Sequence, residues 1–162
     1  MIFKNNSLSL REQIKFKNMT RINSSIPVIS LTDEHLLAEH REIKRLPDNL
    51  CKALKSGSIR KIPKEFCLGT GHVLFFLDKF KFTLKRYNQI HQECIKRGFD
   101  VTNYSSNWDN IEPDYFNDYI PTEKDRILLV ERITTRIMES KKPHFHYYGK
   151  QVNKQEACNL LG

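Results

Sequence analysis

The chain has 162 residues, the length of one compact domain. Its 27 Lys and Arg against 19 Asp and Glu leave a formal charge of +8, while 39% hydrophobic and 10% aromatic residues are too many for a disordered polymer. The longest apolar runs, Val73–Leu77 and Ile127–Val130, exclude a membrane-spanning helix, and six Gly with six Pro exclude collagen-like and low-complexity classes. The charge excess points to an anionic partner. Lys and Arg are spread along the chain with aromatics between them, which favours nucleic acid; a charged, solvated surface is the plain alternative.

Residues 1–18 carry weak periodicity and several Asn and Ser, and are expected to be a loosely ordered leader. The first helix is predicted after Thr32, with Thr32 as N-cap and Asp33 and Glu34 in the first turn, where the helix dipole favours negative charge. Leu36, Ile43 and Leu50, with Leu46, form its apolar stripe. Pro47 should break it near Leu46, Asp48 can restart it, and Gly57 stands where a stop is expected. A second helix is predicted from a Thr70 cap to Gly98, with its stripe running Val73, Leu77, Phe80, Leu84, Tyr87, His91 and Cys94. Residues 99–121 read as a long irregular connection. A third helix runs from Thr122 to Glu139 on Leu129, Val130, Ile133 and Ile137, with Thr122 and Asp125 marking its start. No strand alternation persists, so the expected fold is all-α, three main helices with long loops.

The cysteines, Cys51, Cys67, Cys94 and Cys158, show no CxxC or CxH pairing, which argues against zinc and disulfide frameworks and for a reducing, intracellular (cytoplasmic) compartment. His144 and His146 alone are a poor metal pair. His72 is expected simply to pack within the second helix.

At 100° per residue with His35 at zero, Glu42 falls near about −20°, between the apolar stripe and an edge carrying Arg45 and Arg41. Burial raises such a carboxylate's pKa and guanidinium groups lower it. The placement suits proton transfer between held phosphates; a solvated Glu–Arg pair worth tenths of a kcal/mol is the simpler reading of spacing alone. Arg132 and Arg136, one turn apart, can grip successive phosphates or merely face solvent. The cluster His144–Tyr148 with Lys150 can stack bases or pack a C-terminal segment.

Several segments occur together in one order: Met19-Thr20-Arg21-Ile22-Asn23, Asp33-Glu34-His35-Leu36, Ala38-Glu39-His40-Arg41-Glu42, Leu68-Gly69-Thr70-Gly71-His72-Val73 and Phe75-Phe76 with Asp78-Lys79. Lys96-Arg97-Gly98-Phe99, Asp118-Tyr119-Ile120-Pro121 and Tyr147-Tyr148-Gly149-Lys150 follow. From residue 19 to about 150 the chain resembles the phage endonuclease V type of pyrimidine-dimer DNA glycosylase and abasic-site lyase. The resemblance implies an all-α domain over 19–150, with 151–162 as a tail without assigned role. It implies a monomer, independent of membranes, that binds double-stranded DNA containing pyrimidine dimers or abasic sites, bends it and flips a base. The glycosidic bond of the dimer's 5′ pyrimidine is then cut through an imine with the N-terminal amine, and β-elimination nicks the strand, without a metal or other cofactor.

By the same resemblance Thr20 is the nucleophile and Glu42 the catalytic carboxylate. Arg21, Arg41 and Arg45 hold the kinked strand, His35 lies near the site, and Arg132 and Arg136 contact phosphates, with lysine at the second position in a relative of this type. Tyr147, Tyr148 and Lys150 complete the expected substrate-binding set. The chain departs from the family's pattern in three places. Thr20 is internal, so the chemistry requires either a start at Met19, the preferred explanation, or cleavage before Thr20; otherwise the chain is a non-catalytic helical protein binding damaged or distorted DNA. One residue is inserted between Asn23 and Asp33. His144 and Phe145 stand about where a relative carries Trp and Tyr, which bears on lesion preference. An RNA-binding module has no RNP-like or GxxG pattern to support it.

Overall fold

The structure, a computed structural model, describes residues 22–162. It is built mainly from helices: α1 (Asp33–Ile43), α2 (Leu46–Ser56), α3 (His72–Phe75), α4 (Phe80–Lys96), α5 (Glu123–Glu139) and α6 (Lys154–Asn159). A hairpin of β1 (His144–Tyr147) and β2 (Lys150–Asn153) lies between α5 and α6. The fold is thus all-α with one small sheet.

Local chemistry accounts for most boundaries. The Thr32 side chain accepts the His35 N–H and starts α1. The chain turns at Lys44 and Arg45, and Pro47 sits in the first turn of α2, where its missing N–H costs nothing. Gly57, at φ 77°, ends α2 in the left-handed conformation that an L-side chain resists. At α5, Thr122 and Asp125 form a reciprocal capping box, and the Tyr119 hydroxyl donates a further bond to the same Asp125 carboxylate.

The long second helix is corrected. A 3-10 turn (Gly69–Gly71) and α3 precede a break at Phe76–Lys79, and only then does α4 begin. Phe75, Phe76 and Leu77 are consecutive and all buried. At 100° per residue, three successive side chains cannot share one stripe of a continuous helix, so the chain turns to bury them together. Lys79 closes the break: its ammonium donates to the Phe75 carbonyl and to Asp78, each at 2.7 Å.

The absence of strands is also corrected. Tyr148 (φ 51°) and Gly149 (φ 75°) form a left-handed two-residue turn whose twist matches paired strands, with Phe145 opposite Val152 and Tyr147 opposite Lys150. The Asp33 carboxylate accepts the N–H groups of both turn residues, at 3.1 and 2.9 Å, and so holds Tyr148 in that uncommon conformation. The segment 151–162 is part of the packed body: it supplies most of β2 and all of α6, and buries Ala157 and Leu161.

The core gathers Leu36 and Ile43 of α1, Leu46 and Leu50 of α2, Phe80, Tyr87 and Ile90 of α4, and Leu129, Ile133 and Ile137 of α5. Ile22, Ile26 and Leu31, from the segment before α1, are fully buried in the same cluster. Packing therefore fixes the start of the described chain against α1 and α4.

Candidate active site

Glu42 occupies the last turn of α1, with its side chain 26% exposed. Arg45 Nη1 donates to both of its oxygens, at 3.2 and 3.3 Å. Arg45 does not belong to the same helix, contrary to a single wheel drawn through both. It is the residue that caps α2, and the turn at Lys44 brings it back over the carboxylate. Arg41 is exposed one residue before Glu42.

A pocket of about 420 Å³ runs along α1, lined by Glu34, His35 and Arg41 of that helix, Arg136 of α5, and Lys142 and Phe145 beyond it. The His35 ring stacks on Phe145 at 5.8 Å and 11°, and its Nδ1 lies 2.8 Å from the Thr32 hydroxyl. The Arg136 Nη1, shielded from solvent, has no hydrogen-bond partner among the described residues. Three cations around one hollow, Arg41, Arg136 and Lys142, make a field that attracts phosphate oxygens. Glu34 is not free to oppose them, because His146 donates to it from its backbone N–H (3.0 Å) and its Nδ1 (2.6 Å). Burial alone would raise the Glu34 pKa; the bonds from His146 outweigh it and hold the carboxyl below its ordinary range.

Thus His35, Arg41 and Arg136 share one pocket, with Glu42 and Arg45 adjacent along the chain. Arg132 stands one turn before Arg136 on α5, and its charge acts on His72. Thr20 and Arg21 lie outside the described residues.

Tyr147 and Tyr148 are drawn elsewhere. Both rings lie under the Arg97 guanidinium, at 5.0 and 4.6 Å. The Tyr147 hydroxyl donates to the Ile29 carbonyl at 2.9 Å and that of Tyr148 to Glu93 at 2.6 Å. Arg97, with a fully buried side chain, also donates to Asp33 and Glu93, each at 3.0 Å. Burial would raise the Glu93 pKa, but the Tyr148 and Arg97 bonds prevail and lower it. These two tyrosines anchor the hairpin, and exposed Lys150 lies across from Tyr147 in the ladder. His144 and His146 stack edge to face at 5.6 Å, and no group of three or more metal-ligating side chains occurs among the described residues.

Two buried polar constellations were missed by sequence reasoning. In the first, Glu39, fully buried on α1, receives Arg86 Nε at 2.9 Å and Nη2 at 3.0 Å, together with the backbone N–H and side-chain amide of Asn23, both at 3.0 Å. In the second, His72 Nε2 accepts the Ile22 N–H at 3.0 Å, while its Nδ1 faces the Cys67 carbonyl at 3.0 Å. A signal existed for the first: Glu39 falls near about +40° on the wheel, close to the apolar stripe, where a carboxylate needs a buried cation. Arg86, next to Tyr87 on α4, supplies that cation. Nothing in the sequence marked His72 as the acceptor for Ile22.

Fold and site together describe a strongly basic helical protein with a cation-lined hollow beside a half-buried carboxylate, an arrangement suited to anionic polymers. A family model described as pyrimidine dimer DNA glycosylase matches residues 19–107, more than half of the chain. The chain belongs to the pyrimidine dimer DNA glycosylase family, and its substrate is DNA carrying such dimers. No helix of the described residues is long and apolar enough to cross a membrane.

Proposed function

We propose that this glycosylase works through an imine between the α-amine of Thr20 and C1′ of the dimer's 5′ nucleotide, and that it then cuts the strand as an abasic-site lyase. One observation carries this reading. Asn23 is tied to Glu39 through both oxygens of that buried carboxylate, and Glu42 stands one turn further along the same helix. Cβ atoms at that spacing are about 5–6 Å apart, and three residues of extended chain span roughly 10 Å. Thr20 is therefore within chain reach of Glu42.

The chemistry follows from pKa and charge. An α-amine has a reference pKa near ~8 against about 10.4 for lysine, so much more of it is neutral at pH 7. Its lone pair attacks C1′ and the bond from C1′ to the pyrimidine nitrogen breaks. The base departs with the bonding pair, gains one proton, and stays attached through the cyclobutane ring. The nitrogen loses a proton as the C1′–O4′ bond opens, O4′ is protonated, and an imine remains. Removal of a C2′ proton then expels the 3′ phosphate by cleavage of the C3′–O bond, and water hydrolyses the imine to free the amine. Positive charge develops at C1′ and on the nitrogen, and the Glu42 carboxylate stabilises it more than it stabilises the neutral sugar. Arg21, Arg41, Arg45, Arg132 and Arg136 hold the phosphates of the distorted strand, with His35 beside them. A dimer weakens stacking and pairing, which lowers the few kcal/mol that distortion of the duplex costs.

An internal Thr20 nitrogen is an amide and cannot attack, so the active form must have Thr20 as its first residue. Borohydride trapping on an abasic-site duplex tests this, comparing the 162-residue chain with the chain initiated at Met19. A covalent adduct from the form beginning at Thr20 is expected. Mobility shifts with no adduct from either form would leave a protein that recognises damage without this chemistry.

A further inference from the structure

Directional bonds add to the packing that holds the segment before α1. The backbone N–H groups of Ile22 and Asn23 and the Asn23 side-chain amide all donate to buried side chains: His72 at the start of α3, and Glu39 of α1, which Arg86 of α4 holds in turn. Arg86 adds a further bond, from Nη1 to the Ile26 carbonyl at 2.6 Å. Hydrophobic burial of Ile22 and Ile26 alone would leave the backbone free to shift along the core, because apolar contact is non-directional. Hydrogen bonds are directional; three of them hold two consecutive residues, Ile22 and Asn23, and a fourth holds Ile26.

His72 is the unusual member. Its ring is 1% exposed and sits edge-on between Phe66 (5.6 Å) and Phe76 (5.3 Å). Burial in this apolar slot, with the Arg132 charge adding to it, pushes its pKa down to about 3. The ring is neutral at physiological pH. Only one tautomer satisfies both contacts: Nδ1 carries the proton and donates to the Cys67 carbonyl, and Nε2 presents a bare lone pair to the Ile22 N–H. A protonated ring, or the other neutral tautomer, would set an Nε2–H donor against the Ile22 N–H donor.

We infer that His72, together with the Glu39–Arg86 pair acting through Asn23, is a positioning residue for the amino-terminal nucleophile, holding the backbone two residues beyond Thr20 so that the α-amine is delivered to C1′ beside Glu42. The inference rests on the imine reading above. It assigns His72 and Glu39 no contact with substrate; their effect passes through the backbone of Ile22 and Asn23. Displacement of a reacting atom by about 1 Å can cost on the order of 100-fold in rate without weakening binding, and a nucleophile at a chain end has no other covalent restraint.

The test uses whichever form, the full chain or the chain initiated at Met19, yields the borohydride adduct. The variants are His72→Phe, His72→Gln and Asn23→Ala. Each is measured for the single-turnover rate of adduct formation on a saturating abasic-site duplex, for affinity toward a duplex with a tetrahydrofuran abasic analogue, and for thermal melting. For His72→Phe, which keeps an aromatic ring but has no acceptor, a rate loss of roughly 10- to 100-fold is expected with affinity within about threefold of the parent. His72→Gln, which restores an acceptor oxygen, should recover most of the rate. Asn23→Ala should show the same signature at smaller size, and decides the matter if His72→Phe does not fold. A parental rate in Asn23→Ala and in any folded His72→Phe overturns the inference, as does a parallel fall of rate and affinity, or a glutamine variant no better than phenylalanine. If the parent forms no adduct in either form, the imine reading itself falls and this inference with it.

Discussion

The Glu39 carboxylate and the Arg86 guanidinium meet side by side in the core, Oε1 to Nε at 2.9 Å and Oε2 to Nη2 at 3.0 Å, with side chains only 0% and 4% exposed. A pair so buried is weak evidence for stability in itself, because desolvation of both charges offsets their attraction. Removing one partner is a different matter. Arg86→Met should destabilise the fold by about 3–5 kcal/mol, since it strands Glu39 as an uncompensated buried charge. Adding Glu39→Leu should restore much of that loss. Urea denaturation of the two singles and the double measures the coupling, and simple additivity would show that the pair acts independently.

Acid should weaken the protein before its carboxylates titrate. His72 is held down to about pKa 3 by burial and Arg132, with the Cys67 carbonyl and the Ile22 N–H as its polar partners. His40 is held down to about 4 by burial, then by His91, Lys44 and Arg41, and Tyr87 lies 3.5 Å from its Nε2. Both folded pKa values lie below the ordinary histidine value, so the unfolded chain binds more protons as pH falls through 6.5. Stability is therefore complete above pH 6.5 and declines toward pH 4 and 3. For His72 alone the loss between pH 6.5 and 5 is about 2 kcal/mol. Melting curves from pH 7.5 to 5 check the sign, and His40→Gln should flatten the slope. A midpoint constant across that range would contradict the neutral assignment of both rings.

Arg97 joins three parts of the molecule. It donates to Asp33 at the start of α1, to Glu93 on α4 and to the Leu31 carbonyl at 2.8 Å, and it covers Tyr147 and Tyr148. Arg97→Ala should cost about 3–5 kcal/mol, because it leaves two carboxylates without their buried cation. Because Asp33 also holds the turn at Tyr148 and Gly149, the hairpin should loosen first. Amide exchange at Phe145 and His146 that accelerates more than exchange in α5 would report this.

Glu42→Gln should abolish dimer cleavage while affinity for dimer-containing DNA stays close to that of the parent, since the half-exposed Glu42–Arg45 pair contributes at most about 1 kcal/mol to stability. Gel shift and strand-nicking assays on one duplex separate the two properties. Retained nicking would remove Glu42 from the reaction.

Arg136→Ala should reduce the log–log salt slope of DNA binding by about one unit, as expected for one lost phosphate contact. An unchanged slope would make the cation-lined pocket a feature of packing alone.

Much of the local structure was legible because its causes are local. Thr32 and Thr122 cap helices with bonds to the third residue beyond, Pro47 and Gly57 act on their own backbone angles, and the stripes on α1 and α5 follow from helical period. The fault in the second helix arose where period 3.6 held on both sides of a break. Phe75, Phe76 and Leu77 had to be buried together, and that demand comes from neighbours distant in sequence. The hairpin escaped notice because its strands are short and its turn, Tyr148–Gly149, depends on Asp33, more than a hundred residues away. Glu42, Arg41 and Arg136 could be selected from charge placement and family resemblance. Glu39, Arg86 and His72 could not be paired, because buried polar groups choose partners by three-dimensional proximity and desolvation, and neither has a period along the chain.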